Sequence, residues 1–134
     1  MTFTEAIQEH VECFERLGEI SETVLAAGQQ MIEILRRGGK LLICGNGGSA
    51  SDSQHFAAEV MGRFARERRP WPAIALNTDT SVITAVANDY SFDDIFARQV
   101  EGIGIRGDLL IGLSTSGDSK NIIRAVQTAR ENHM

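Results

Sequence analysis

Apolar residues at Phe3, Ile7, Val11 and Phe14 recur every third or fourth position, the repeat of one helix face. The stripe breaks over Leu17 to Ser21 and resumes through Val24, Leu25, Met31, Ile32 and Leu35, which predicts a second amphipathic helix. The segment RRGG closes it, since Arg36 and Arg37 suit the carbonyl end of a helix and Gly38 or Gly39 can form its left-handed cap. No strand precedes these helices. Their own sheet and a partner subunit are therefore equally good targets for their apolar faces.

From Lys40 onward the pattern becomes strand, loop, helix, repeated. KLLIC (40–44) is a continuous apolar run, as expected of a strand buried on both faces, and a helix from about Ser51 to Ala65 follows a glycine-rich loop. After the turn-forming RRPWP, PAIAL (72–76) reads as a second strand. DTSVITAVAND and FDDIFARQVEGI read as helices separated near Asn88 to Ser91. Gly107 and Asp108 turn the chain into a third strand, LLIGL, and STSGDS leads into a last helix from about Lys120 to Asn132. Successive β-α units of this length require parallel strands with right-handed crossovers, which predicts an open, doubly wound α/β sheet. In such sheets ligands bind beyond the carboxyl ends of the strands, where both loops would lie.

The chain has 134 residues, 43% of them hydrophobic, enough for one compact domain with a helical segment over 1–38 and a β-α core over 39–134. A formal net charge of -5 gives no basis for holding a polyanion, so nucleic acid is not an expected partner. Cys13 and Cys44 read as buried thiols of a reducing compartment. No cationic and apolar leader opens the chain, and runs such as DLLIGL are too short to cross a bilayer, so a cytoplasmic protein without a membrane partner is expected.

The stretch CGNGGSASDSQHFAAE (44–59) carries the most chemistry. Gly45, Gly47 and Ala50 satisfy a GxGxxA pattern, yet no acidic residue ends the next strand, which runs into Asn77 and Thr78. No nucleotide cofactor is therefore expected. The hydroxyls fit better: Ser49, Ser51 and Ser53 surround one helix start, and Ser114, Thr115, Ser116 and Ser119 crowd another. Hydroxyls beside free helix N–H groups, with glycines admitting the anion, suit a small phosphomonoester. Taken singly, each serine is better read as an N-cap, and it is the two clusters at equivalent strand ends that favour a phosphate. His55 and Glu59 stand four apart on the helix leaving the first loop, so they share a face. That pair can serve as acid and base, as two metal ligands, or as a solvated surface pair; a zinc site needs more ligands than these. Arg63, Arg66, Arg68 and Arg69 gather near the end of the same helix, and Asp89 ends a helix where it can either cap or orient a hydroxyl.

CGNGGSASDSQHFAAE, RPWPAIALNTD, AND and STSGDS, in that order and spacing, closely resemble the sugar isomerase (SIS) fold of bacterial phosphoheptose isomerases. The resemblance implies isomerisation of D-sedoheptulose 7-phosphate to D-glycero-D-manno-heptose 7-phosphate for lipopolysaccharide heptose synthesis. It implies a phosphate site from Asn46, Gly47, Gly48, Ser49, Ser114, Thr115, Ser116 and Ser119, with Asp89 and Arg63 shaping its surroundings. Glu59 is then the catalytic base, and in some members zinc binds the residues matching His55 and Glu59. Members form homotetramers with sites between subunits. The family pattern continues beyond the third β-α unit to a C-terminal helix with a QExxH-like segment, so 1–134 is expected to be only part of that fold. The alternative is a non-catalytic relative, resembling the branch that binds the replication initiator DnaA or a sugar-phosphate sensor. Glu59 separates the two, because that branch lacks a carboxylate there.

Overall fold

The computed structural model describes all 134 residues, which form two compact units, Met1–Glu33 and Ile34–Met134. In the first unit α1 (Phe3–Arg16) starts with a capping box: the Thr2 hydroxyl accepts from the Glu5 N–H and the Glu5 carboxylate accepts from the Thr2 N–H. A 3₁₀ turn, Leu17–Ile20, accounts for the break in the apolar stripe, and α2 (Ser21–Arg36) follows. Neither helix buries a single residue. Cys13, expected to be buried, is exposed, because α1 carries no apolar cover over it.

The second unit is built on a three-stranded parallel sheet in the order β2 (Ala73–Ala75), β1 (Leu41–Gly45), β3 (Leu109–Leu113). β1 is buried along its whole length, as its unbroken apolar run predicts. Its alternate residues Leu42 and Cys44 belong to one core with Leu76, Ile95, Phe96, Val100, Ile122, Ala125 and Ala129. These come from β1, the residue after β2, α5 (Ala97–Ile103) with the two residues before it, and α6 (Lys120–Glu131). The pleat sends Leu41 and Ile43 to the opposite face. α3 (Gly48–Met61) packs against β1 and β2, burying Ser53 and Ala57. Burial pushes the Cys44 thiol up to about 12, so it stays protonated and inert.

Several boundaries differ from expectation. α3 begins at Gly48 and ends at Met61 rather than spanning 51–65. Gly47, with φ of 57°, turns the chain straight into the helix, and Gly62 caps the far end. Beyond it Arg68 donates to the Glu59 carbonyl at 2.8 Å, folding the basic segment back on the helix terminus. α4 (Thr80–Asp89) opens on Asp79, whose carboxylate accepts from the Val82 N–H at 3.0 Å. The segment expected as one helix over 92–103 is a 3₁₀ turn, Phe92–Asp94, followed by α5.

Gly45, the last residue of β1, lets α3 lie close on the strand: a Cβ there would fall 2.5 Å from the Ser49 carbonyl oxygen. Backbone cannot yield as a side-chain tip can. Gly45→Ala is therefore expected to lower stability by about 1–3 kcal/mol, read as a lower urea midpoint at unchanged m-value. An unchanged midpoint would show that α3 is free to ride outward.

At the opposite edge, where β1 and β3 begin, Asp108 is buried (1% exposed) and accepts from the N–H groups of Lys40 and Ile105, each at 2.9 Å. It also pairs with the Lys40 ammonium. Burial alone would raise the Asp108 carboxyl, but the bond from the Lys40 side chain, the two N–H donors and the ammonium charge together hold it below its ordinary value.

Candidate active site

The two hydroxyl-bearing loops leave adjacent strands from paired positions. Gly45 lies opposite Leu113 in the parallel register, so Asn46 and Ser114 emerge side by side, about 5 Å apart at the strand level. They are also joined directly. The Asn46 amide donates to Asn121 Oδ1 at 2.9 Å, and the Asn121 amide donates back to Asn46 Oδ1 at 2.8 Å. The loops therefore form one continuous surface at the carboxyl edge of the sheet.

Thr2 and Asp79 cap α1 and α4, whereas neither α3 nor α6 receives a side-chain cap despite the serines at both starts. This weakens the capping explanation for them. Ser49 sits in the first turn of α3, and neither its hydroxyl nor that of Thr115 makes an intramolecular hydrogen bond. In the second loop the Ser114 hydroxyl accepts from the Gly117 N–H at 3.1 Å and lies 3.0 Å from the Ser119 hydroxyl. Ser116 accepts from the Asp118 N–H at 3.2 Å. Those bonds shape the loop while leaving donor capacity on the hydroxyls. Gly47 (φ 57°) and Gly117 (φ 76°) hold left-handed backbone, and space beside Gly47, Gly48 and Gly117 is open. Ser53 is spent differently: it is fully buried and donates to the Ser49 carbonyl at 2.7 Å.

His55 and Glu59 do share a face of α3, with His55 Nε2 3.2 Å from Glu59 Oε1. Helix geometry puts them about 200° round from Ser53 and Ala57, which face the sheet. The pair therefore lines the outer side of α3. The His55 side chain is 74% exposed and Glu59 36%. Glu59 follows Ser49 by ten residues, about 15 Å of helix rise, and the backward tilt of helical side chains brings its carboxylate closer to the loops.

Two further expected site residues have partners of their own. Arg63 falls beyond the end of α3, is exposed and pairs with Glu67 at 3.5 Å. Asp89 is the last residue of α4, where its carboxylate accepts from the Asn88 amide at 2.8 Å. No three His, Cys, Asp or Glu residues are grouped so that they could hold a metal ion. His55 and Glu59 thus supply two donors, whereas a catalytic zinc takes three protein ligands and a water, so these two residues alone do not complete a zinc site. A cavity of about 420 Å³ lies elsewhere, lined by Tyr90, Asp94, Arg98 and Arg124 among others. Its arginines are engaged within the chain, Arg124 with Asp94 at 2.8 Å and Arg98 with Glu101 at 2.9 Å.

Asn121 was not evident as a site residue in the sequence. The available signal was its place on the stripe Asn121, Ala125, Ala129, which is buried: an amide sits where an apolar residue is expected.

Comparison with known proteins finds relatives over nearly the whole chain. The family model described as the SIS domain matches residues 2–134. A phosphoheptose isomerase of Shewanella oneidensis is 50% identical over 133 residues, covering 99% of this chain and 66% of the relative. That of Helicobacter pylori is 52% identical over 126 residues, covering 93% and 66%. The solved phosphoheptose isomerase of Neisseria gonorrhoeae superposes with a TM-score of 0.86 at 44% identity, covering 99% of this chain and 72% of that one. The structure from Francisella tularensis gives 0.90 at 40% identity, covering 100% and 73%. The chain spans about two thirds of the length of the curated relatives it matches. No helix is long and apolar enough to cross a membrane.

Proposed function

As the chain belongs to the SIS domain family, we propose that the protein is an aldose–ketose isomerase converting D-sedoheptulose 7-phosphate to D-glycero-D-manno-heptose 7-phosphate for lipopolysaccharide heptose synthesis. One observation carries this reading: two uncapped, hydroxyl-rich helix starts meet at neighbouring strand ends, with a carboxylate farther along one of the helices. In this reading the hydroxyls of Ser49, Ser114, Thr115, Ser116 and Ser119 surround the phosphate, while the N–H groups of Ser49, Ala50 and Ile122 are already bonded within the chain. No lysine is needed, because directional donors satisfy the phosphate oxygens.

The spacing favours a long sugar. An extended seven-carbon chain reaches roughly 9–10 Å from phosphorus to C1 at ordinary bond lengths, close to the helix rise less the backward reach of Glu59. A triose or tetrose phosphate anchored by the same loops would leave C1 short of the carboxylate.

Glu59 takes the proton from C1, and the C–H electron pair becomes the C1=C2 bond of an enediol as the C2 carbonyl oxygen gains a proton. Glu59 then returns the proton to C2, while O1 loses its proton and becomes the aldehyde oxygen. Atoms and electrons balance without an external oxidant. His55 holds the carboxylate through the 3.2 Å contact. With zinc bound to His55 and Glu59 the metal would polarise substrate oxygens, but the donor set here is incomplete and no step depends on it. The carboxylate at position 59 favours the enzyme over a non-catalytic DnaA-binding or sensing relative.

Because His55 and Glu59 face outward on α3, a substrate lying over them needs a second wall. A neighbouring copy in a homotetramer supplies it in this reading, and the exposed Phe3, Ile7, Val11 and Phe14 of α1 support such assembly. The test is the natural protein with sedoheptulose 7-phosphate in deuterated water. An aldoheptose 7-phosphate carrying solvent deuterium at C2 is expected. Failure to form it, with the phosphorylated ketose recovered unlabelled, would defeat the proposal.

A further inference from the structure

We infer that Asn121 is a positioning residue whose amide, clasped to Asn46, sets the spacing of the two phosphate-binding loops. The inference rests on the phosphate site proposed above, but the contact itself belongs to neither loop's hydroxyl set. Asn46 and Asn121 lie 75 residues apart in sequence and exchange two hydrogen bonds, 2.9 and 2.8 Å. Asn121 is 2% exposed, and its Oδ1 also accepts from the Ile122 N–H at 2.9 Å. Its amide therefore ties three things together: the first loop, the first turn of α6, and the core stripe of α6 through the neighbouring Ile122, Ala125 and Ala129.

The clasp does what the strand register cannot. Pairing of β1 with β3 ends at Gly45 and Leu113, and beyond those residues the ladder supplies no further bond between the loops. Ser49 acts from α3, whereas Ser114 and Ser119 act from the other loop, so a phosphate bridging them reads their separation directly. Asn46 has both amide atoms engaged by Asn121, with one N–H and one lone pair remaining. Its main task is thus to hold the loops, and only its remaining N–H is available to the anion. Glu59 stands nearly three helical turns from this joint, so loosening it shifts the phosphate more than the base.

The experiment compares wild type, Asn121→Ala, Asn46→Ala and the double variant of the natural protein. Steady-state turnover of sedoheptulose 7-phosphate is measured alongside calorimetric binding of inorganic phosphate. Asn121→Ala is expected to raise KM and the phosphate Kd by about tenfold, as loss of a buried hydrogen-bonded amide implies, with a smaller change in kcat. The double variant should be no worse than the more damaged single one, since both remove the same contact. Asn121→Asp keeps the acceptors for Asn46 and Ile122 but cannot donate to Asn46 Oδ1, and is expected to weaken phosphate binding as well.

Should Asn121→Ala fail to fold, Asn121→Ser carries the test, because its hydroxyl can still accept from the Ile122 N–H but is too short to reach Asn46, which stays intact. Unchanged KM and phosphate affinity in a folded variant, or single effects that simply add, would overturn the clasp. A wild type without turnover whose phosphate affinity still falls in the variants would support the clasp and defeat the isomerase reading. A wild type that neither turns over the sugar nor binds phosphate defeats both.

Discussion

Replacing Glu59 by glutamine is expected to reduce isomerisation by about 10³–10⁴-fold while leaving phosphate affinity within about twofold of wild type. The substitution preserves shape and removes only the ability to accept a carbon-bound proton. It leaves the helix intact, because the Glu59 atom that holds Arg68 is the backbone carbonyl. The side chain is only partly buried and its one side-chain partner is His55, to which a glutamine amide can still bond. The loss should therefore appear in kcat, with KM nearly unchanged, the inverse of the pattern expected at Asn121. Exchange of the C1 proton with solvent should vanish together with product formation. Turnover persisting in Glu59→Gln would remove the carboxylate from the reaction and return the His55–Glu59 pair to a surface contact.

The sheet is legible because β1 is a short uninterrupted apolar run between a glycine-capped helix and a glycine loop, a length and setting expected of a strand covered on both faces. Helix ends were less legible. Gly47 admits a backbone conformation that starts α3 at Gly48, and a propensity argument discounts glycines inside a helix. Cys13 departs from its expected burial for a related reason: periodicity identifies an apolar face but not whether anything covers it. In α1 the face is present and nothing within the chain buries it.

At the site, the residue types and their order pointed to the two loops, but not to how they are joined. Asn121 contributes through a bond to a residue 75 positions away, and no local pattern encodes a partner at that range. The sequence also placed His55 and Glu59 on a common face without saying which face. Ser53 and Ala57 answer that, since their burial turns the pair outward.

Asp108 shows the same limit of local reading at the other end of the sheet, and it sets the second large effect. The sequence marked Gly107 and Asp108 only as a turn, whereas the carboxylate gathers two N–H donors and the Lys40 ammonium at the start of β1 and β3. Asp108→Ala is expected to cost about 3–5 kcal/mol, toward the lower end because Lys40 retains some contact with water after losing its partner. The pH dependence has a definite sign. The folded carboxyl lies below its unfolded value of about 3.9, so its contribution is complete above that value and is lost as pH falls through the lower folded one. Lys40→Met removes the side-chain bond and the positive charge but leaves the burial that raises the carboxyl, so acid destabilisation should begin at higher pH than in wild type. Urea midpoints measured from pH 7 down to about pH 3 check both variants. If Lys40→Met and wild type lose stability at the same pH, the ammonium is not what keeps this buried carboxylate charged, and the two backbone donors alone hold the strand starts together.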